Sequence, residues 1–464
     1  MTALEPGPLD LSARRLASRL RGRLLVPGDR DYDTARRVFN AMIDRRPALI
    51  IQCAGTEDVI EGVIFAREHG VPLSIKGGGH SVAGTAVCDR GLLLDLAPMK
   101  AVHIDTARRI ATVEPGLTLG DLDRETQRFG LAVPSGVVSM TGLAGLALGG
   151  GLGWLNGAYG LTCDNLLAAD VITAAGELVT ANAHQYEDLL WALRGGGGNF
   201  GVVTSFTFRL HPVDEVLAGT FMYARRKAAH ALRLYREFAA ECPDELGANA
   251  SVFRGPDGEV AVSIAICYAG ERGRGERLLD PLRTLGPAEA AIQPMAYRQL
   301  QHAADHGFPS GRQHYWKSGF VTAIDDELIE IVLDFVERMP SLHSGVGLQQ
   351  LHGAAGRVRP AATAYPHRGE RYDLLILSQW PDPAQSPRNV TWTRELFAAI
   401  QPHLSAGVYV NNLGADDTER LGHAYGSNYD RLVAVKTRYD PTNVFRQNHN
   451  IKPQRARPAR VLHG

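Results

Sequence analysis

At 464 residues the chain exceeds one ordinary hydrophobic core, which implies two or three domains. Its composition, 45% hydrophobic and 21% charged with a net charge of -1, argues against nucleic acid or an anionic membrane as the main partner. The five cysteines are scattered without a CxxC pair, and neither a leader segment nor a bilayer-spanning apolar run is evident, so a reduced, cytoplasmic setting is expected.

Residues 1–45 are arginine-rich and read as a partly helical segment, with Pro27-Gly28-Asp29 as a turn. Ala48 to Gln52 reads as an apolar strand, and Thr56 as the cap of a helix that carries Val59, Ile60, Val63 and Ile64 at helical spacing. A second strand, Val71 to Ile75, runs into Lys76-Gly77-Gly78-Gly79-His80-Ser81-Val82-Ala83-Gly84. Three consecutive glycines let backbone approach a ligand closely, and successive amides in such a turn form an anion site with His80 at its end. Alone, the segment is read equally well as a glycine-rich turn with a solvated histidine. Gly91 to Leu96 and Ile110 to Val113 continue the strands, and Thr118 opens a helix through Phe129.

The second glycine cluster, Thr141 to Trp154, loosely matches a dinucleotide fingerprint, but the stretch toward Asp170 reads as turn and loop, against a Rossmann site. No Walker A sequence or nucleophile elbow occurs. The third cluster, Arg194 to Val203, precedes an alternating strand, Val202 to Leu210, and reads as a backbone wall against a flat ligand. Three such loops in one α+β region imply a large cofactor. Beyond Pro212 the pattern changes to long helices (Tyr223–Ala240, Asp325–Arg338) and strands (Val260–Tyr268, His314–Thr322, Gly345–Leu351, Tyr372–Trp380), as in an antiparallel sheet with helices on one face. Gly407 to Pro453 reads as a strand, a helix and a polar tail, too small to fold alone and expected to return to the first domain.

KGGGHSVAG, TGLAGLALGGGLGW, YGLTCDN (Tyr159–Asn165) and RGGGGNFGVV, with Val408–Asn412 and Tyr439–Asn448 near the C-terminus, resemble the berberine-bridge-enzyme-like flavoprotein oxidases of the vanillyl-alcohol-oxidase superfamily. The resemblance covers nearly the whole chain. It implies an α+β fold: a helical segment (1–45), a two-part FAD-binding domain (46–213), a substrate domain with an antiparallel sheet backed by helices (214–405) and a closing module (406–455). It further implies FAD joined covalently through His80, with Lys76, Gly77, Gly78, Gly79, Ser81 and Gly84 around the pyrophosphate. Gly136, Val138, Gly142, Gly145, Gly149, Gly150 and Gly151 would line the ring and ribityl chain. Asn199, Phe200, Gly201 and Val203 would border FAD from the third loop, and Tyr409, Asn411, Gln447 and Asn448 from the closing module. Val138 stands where some members carry a second linking cysteine, so a single attachment is expected, and Cys163 is expected to be a buried small residue. Leu146 stands where many plant members carry a histidine.

The function so implied is oxidation of a small-molecule alcohol or amine with reduction of O2 to H2O2. Tyr409 is the expected base or its helper, and Gln349, His352 and Gln379 are candidate substrate contacts. Alternatives are a dehydrogenase with another acceptor, a sugar oxidase, and a flavin-holding protein without turnover. His302 and His306 are read as a solvated helix face rather than metal ligands, and Arg368 as a structural arginine.

Overall fold

The computed structural model describes residues 8–454. Strands β1 (Arg23–Leu25), β2 (Leu49–Gln52), β3 (Leu73–Lys76) and β4 (Leu92–Asp95) form a sheet in the order β1-β2-β4-β3. β2 and β3 each run parallel to β4, and helix Thr56–His69 supplies the crossover that parallel strands need. All of β4 is buried, hence its unbroken Leu-Leu-Leu. Gly55 is the N-cap of the crossover helix, so Thr56 is its first residue and not the cap expected of it. The nearby Asp58 carboxylate accepts from the amides of Arg21, Gly22 and Ala54 and joins the N-terminal segment to this corner.

The next strands are β5 (Val102–Asp105), β6 (Ile110–Val113), β7 (Leu131–Ala132), β8 (Leu166–Ile172), β9 (Leu178–Asn182), β10 (Val202–Arg209) and β11 (His211–Pro212). Five of them form an antiparallel sheet ordered β5-β6-β10-β8-β9, and β7 pairs with β11. Thr118 caps helix Leu119–Thr126 in a reciprocal bond with Asp121, and a 3-10 turn carries it to Phe129.

The remaining strands are β12 (Glu215–Ala224), β13 (Leu246–Arg254), β14 (Val260–Tyr268), β15 (Glu289–Ala296), β16 (Gln313–Val321), β17 (Gly345–Gln350) and β18 (Tyr372–Trp380). They make one antiparallel sheet ordered β15-β12-β14-β13-β17-β18-β16. Helices Ala228–Ala240, Asp326–Glu337 and Ser386–Ile400 cover one face, where Leu232, Tyr235, Val332 and Leu396 pack with Ala250, Ile264, Leu348 and Ile376. The expected helix Tyr223–Ala240 is divided: Tyr223 belongs to β12 and alternates into the core with Phe221, and the helix starts at Ala228. β13 and β15 carry no clear strand signal. The first is rich in Gly, Ala, Asn and Ser, and the second holds Pro294, tolerated because β15 is an edge strand.

Val408–Asn411 is not the strand its residues suggest. Tyr409 is extended, but Val410–Asn412 closes into a 3-10 turn. Helix Tyr429–Tyr439 then packs Leu432 and Val435 into the core that contains Trp191 and Phe200. Among the described residues no helix is long and apolar enough to cross a membrane.

Candidate active site: a cavity between glycine loops and the large sheet

β3 ends at Lys76, and the chain turns through Gly77, Gly78 and Gly79 to His80. At Gly78 the backbone touches the second glycine loop: a Cβ there would lie 2.5 Å from the Gly142 Cα, so neither position has room for a side chain. Gly79 takes a φ of 66°, which turns the chain sharply before the histidine. The His80 ring stacks on Phe39 at 3.9 Å and 15°, and the other face of Phe39 stacks on His314 at 4.2 Å. Asn40 fixes this sandwich. Its amide donates to the carbonyls of Val82 and His314 at 2.8 and 2.9 Å, and its oxygen accepts from the His314 amide at 3.0 Å. Burial pushes the His80 pKa down to about 4, so the imidazole is neutral near pH 7, and its Nε2 has no partner among the described residues.

A cavity of about 440 Å³ opens from this point between the glycine loops and the uncovered face of the large sheet. The structure brings Gly77, Gly78, Gly79, His80, Ser81, Gly136, Val138, Gly142, Gly145, Asn199, Gly201, Val203, Gln349, Tyr409, Asn411, Gln447 and Asn448 together on its walls.

Other expected residues lie elsewhere. Lys76 turns away to pair with Asp95 at 3.3 Å and to donate to the Ala35 carbonyl. Gly84 packs against Ile43, and Phe200 is in the core. Gly149, Gly150 and Gly151 form the back of the wall, hard against Asn411, Tyr365 and Thr162, and do not lie beneath an open surface. His352 is wedged against Gly157, and Gln379 accepts from Arg312 at 3.1 Å and donates to the Gly307 carbonyl at 3.0 Å. Cys163 is buried with Tyr365 and Tyr409, and burial raises its thiol pKa. Next to it Asp164 makes a two-pronged pair with buried Arg368, at 2.7 and 2.8 Å. His302 shares Asp305 with Ser139, each at hydrogen-bond distance, and so fastens the substrate domain to the 136–146 loop.

The C-terminal turn closes the cavity by hydrogen bonds to glycine backbone. The Tyr409 hydroxyl oxygen accepts from the Gly151 amide at 2.9 Å and from the Asn411 side chain at 2.8 Å. Asn411 also donates to the Leu146 carbonyl, and Asn448 to the Gly198 carbonyl at 2.9 Å. Burial lifts the Tyr409 pKa well above 10 despite these donors, so the phenol stays protonated.

The sequence reading passed over Asp373. It is buried on the cavity wall, its Oδ2 accepts from the Asn412 amide at 2.6 Å, and its Oδ1 has no partner among the described residues. Burial raises its pKa from 3.8 to about 7. One signal could have found it: Asp373 is the only charged residue in Tyr372–Trp380 and occupies the alternation phase opposite Tyr372, Leu374 and Ile376, which face the helices.

The walls fit FAD. A Cβ at Gly145 or Gly198 would meet no atom within 4 Å, so both loops offer bare backbone to a flat group, and His80 Nε2 waits buried and unpaired at one end.

Comparison with known proteins agrees with this geometry. Residues 47–182 match a family described as FAD binding domain, and residues 408–452 match one described as berberine and berberine like. An FAD-linked oxidoreductase of Dictyostelium discoideum is 35% identical over 94% of this chain and 95% of its own length. (R)-6-hydroxynicotine oxidase of Paenarthrobacter nicotinovorans is 32% identical over 94% of this chain and 97% of its own. The crystal structure of 6-hydroxy-D-nicotine oxidase from Arthrobacter nicotinovorans superposes with a TM-score of 0.86 at 29% identity, covering 94% of this chain and 98% of that one.

Proposed function

This chain belongs to the berberine-bridge-enzyme-like FAD-linked oxidoreductases, and on that footing we propose that it is an oxidase of a small-molecule alcohol or amine, with Asp373 as the proton acceptor. The observation that carries this reading is the unpartnered Oδ1 of a buried carboxylate on the wall facing the glycine loops. Burial brings the Asp373 carboxyl to a pKa of about 7, in the range that suits a general base near neutral pH. Its free oxygen takes the proton of a substrate O–H or N–H, and Asn412 holds its other oxygen so that the acceptor lone pair faces the cavity.

Tyr409 orients rather than abstracts. Its oxygen already accepts two hydrogen bonds, its own hydrogen remains to be donated, and its high pKa keeps that hydrogen in place. When bound between these walls, FAD would supply the acceptor for the substrate's hydride and the route for its electrons to dioxygen, with hydrogen peroxide as the product of an oxidase. His80, neutral and buried, would hold the cofactor as its single covalent tether, and Val138 offers no thiol for a second. Phe39 stacks on that imidazole, and Asn40 holds the following backbone through the Val82 carbonyl.

Acid-precipitated holoenzyme is expected to stay yellow, with the flavin on a peptide containing His80. An alcohol or amine should bleach the flavin without oxygen, and air should restore the colour with formation of peroxide. Restoration only by an added dye would make the protein a dehydrogenase, and free FAD in the acid supernatant would end the tether.

A further inference from the structure

The cavity face of the large sheet is a grid set by strand register. Side chains that alternate away from the helices fall into rows across β13, β17, β18 and β16. One row aligns Asn249 with Gln349, and Gln349 with Asp373. The next aligns Ser251 with Gly347, and Gly347 with Leu375. A third aligns Leu377 with Trp316. All eight of these residues line the cavity, and Phe308 joins them beside the third row.

The rows differ in chemistry. In the first, Gln349 Nε2 and Asp373 Oδ1 are buried, directly paired in register and without partners among the described residues. An unpaired donor beside an unpaired acceptor matches a group that both accepts and donates, such as a hydroxyl or a neutral N–H amine. A carboxylate or phosphate would set its charge against Asp373. The third row offers indole, leucine and phenyl surface with one donor that has no partner among the described residues, Trp316 Nε1, and no charge. Between the two lies Gly347. A Cβ built there meets no atom within 4 Å, and its φ is not in the left-handed region, so neither crowding in the fold nor backbone strain calls for glycine.

Resting on the oxidase reading above, we propose that Gly347 is the specificity-determining residue: it leaves a slot across which a compact ring compound lies, with its single hydroxyl or amine at Gln349 and Asp373 and its ring against Leu375, Leu377 and Trp316. Sugars, polar around their whole edge, would bury hydroxyls on the third row without enough partners, which is costly.

Phenol is a suitable probe of the holoenzyme. It carries one hydroxyl on a ring and has no C–H on the hydroxyl-bearing carbon, so it binds without turnover and is read as a flavin difference spectrum. Phenol is expected to perturb the wild-type spectrum saturably, and glucose and cellobiose are not. Gly347→Val should weaken phenol binding by about tenfold or more, because its methyl groups enter the slot, with Gly347→Ala in between. Flavin content and melting temperature should be unchanged in both variants. Gln349→Leu should weaken binding while leaving the slot open. Equal phenol affinity in wild type and Gly347→Val, or a response to glucose and none to phenol, would overturn the proposal. The oxidase reading is judged separately by bleaching and reoxidation, so a protein that binds phenol as expected but fails to react with oxygen refutes only that reading.

Discussion

The wall built from residues 77–81, 136–146 and 197–203 presents backbone to the cavity, whereas the wall built from β13, β16, β17 and β18 presents side chains. On the first, contact depends on the absence of side chains, and each loop that supplies it is one short run of sequence. On the second, Asn249, Gln349 and Asp373 form one row although they come from three different strands, β13, β17 and β18. The glycine wall can therefore hold one invariant flat group, while the side-chain wall is free to choose what lies against it.

Variants can break this contrast. The largest effect is expected at His80. His80→Ala should abolish acid-stable flavin, measured as the mass of the denatured protein, while leaving the backbone cradle able to hold FAD reversibly.

Asp373→Asn comes next. It should slow anaerobic flavin reduction by about 100- to 10,000-fold, the usual contribution of a placed base. In wild type that rate should rise with pH through about 7, where Asp373 loses its proton, and the rise should vanish in the variant. The same carboxyl ought to show in stability. Its folded-state pKa is raised from 3.8 to about 7, so the folded protein binds the proton more tightly than the unfolded chain. That contribution is full below about pH 4 and is lost as pH rises through 7. Asp373→Asn should accordingly melt higher than wild type at pH 8, with the gap closing toward pH 4.

A smaller change is expected for Tyr409→Phe. It leaves the buried Gly151 amide without its acceptor and takes one of two acceptors from the Asn411 side chain, which costs about 1–3 kcal/mol of stability by thermal melting. Its flavin reduction should slow by far less than that of Asp373→Asn. The reverse order would return the role of base to Tyr409. The smallest effect sharpens the contrast rather than breaking it. Phe39→Leu removes the stack on His80 but keeps an apolar filler, so covalent flavin should form more slowly in refolded protein while reversible binding is kept.

Legibility followed the same division. The KGGGH and RGGGGNF stretches announce themselves because a run of glycine has few uses other than close backbone approach. The strands β2, β3 and β4, the helix opened by Thr118, and four strands of the large sheet were readable from apolar runs and alternation. Asp373 was not, because its meaning depends on which strand lies beside it. Phe39 and Asn40 sit in a segment with no periodic pattern and acquire their role only by reaching His80 and His314. Lys76 and Gly84, though part of the glycine motif, turn outward to Asp95 and Ile43, which contiguity in sequence could not show.

Alternation along the large sheet has a consequence for descent with modification. Val346, Leu348, Leu374 and Ile376 face the helices, while Gly347, Gln349, Asp373 and Leu375 face the cavity. Each cavity position is thus flanked in the chain by residues that hold the sheet to its helices, and its own side chain takes no part in that packing. Replacements at every second residue can accumulate with little penalty to folding, and the register carries each one to a known square of the grid. A lineage built on this scaffold can exchange one oxidisable molecule for another by a few such steps, while the flavin wall stays as it is.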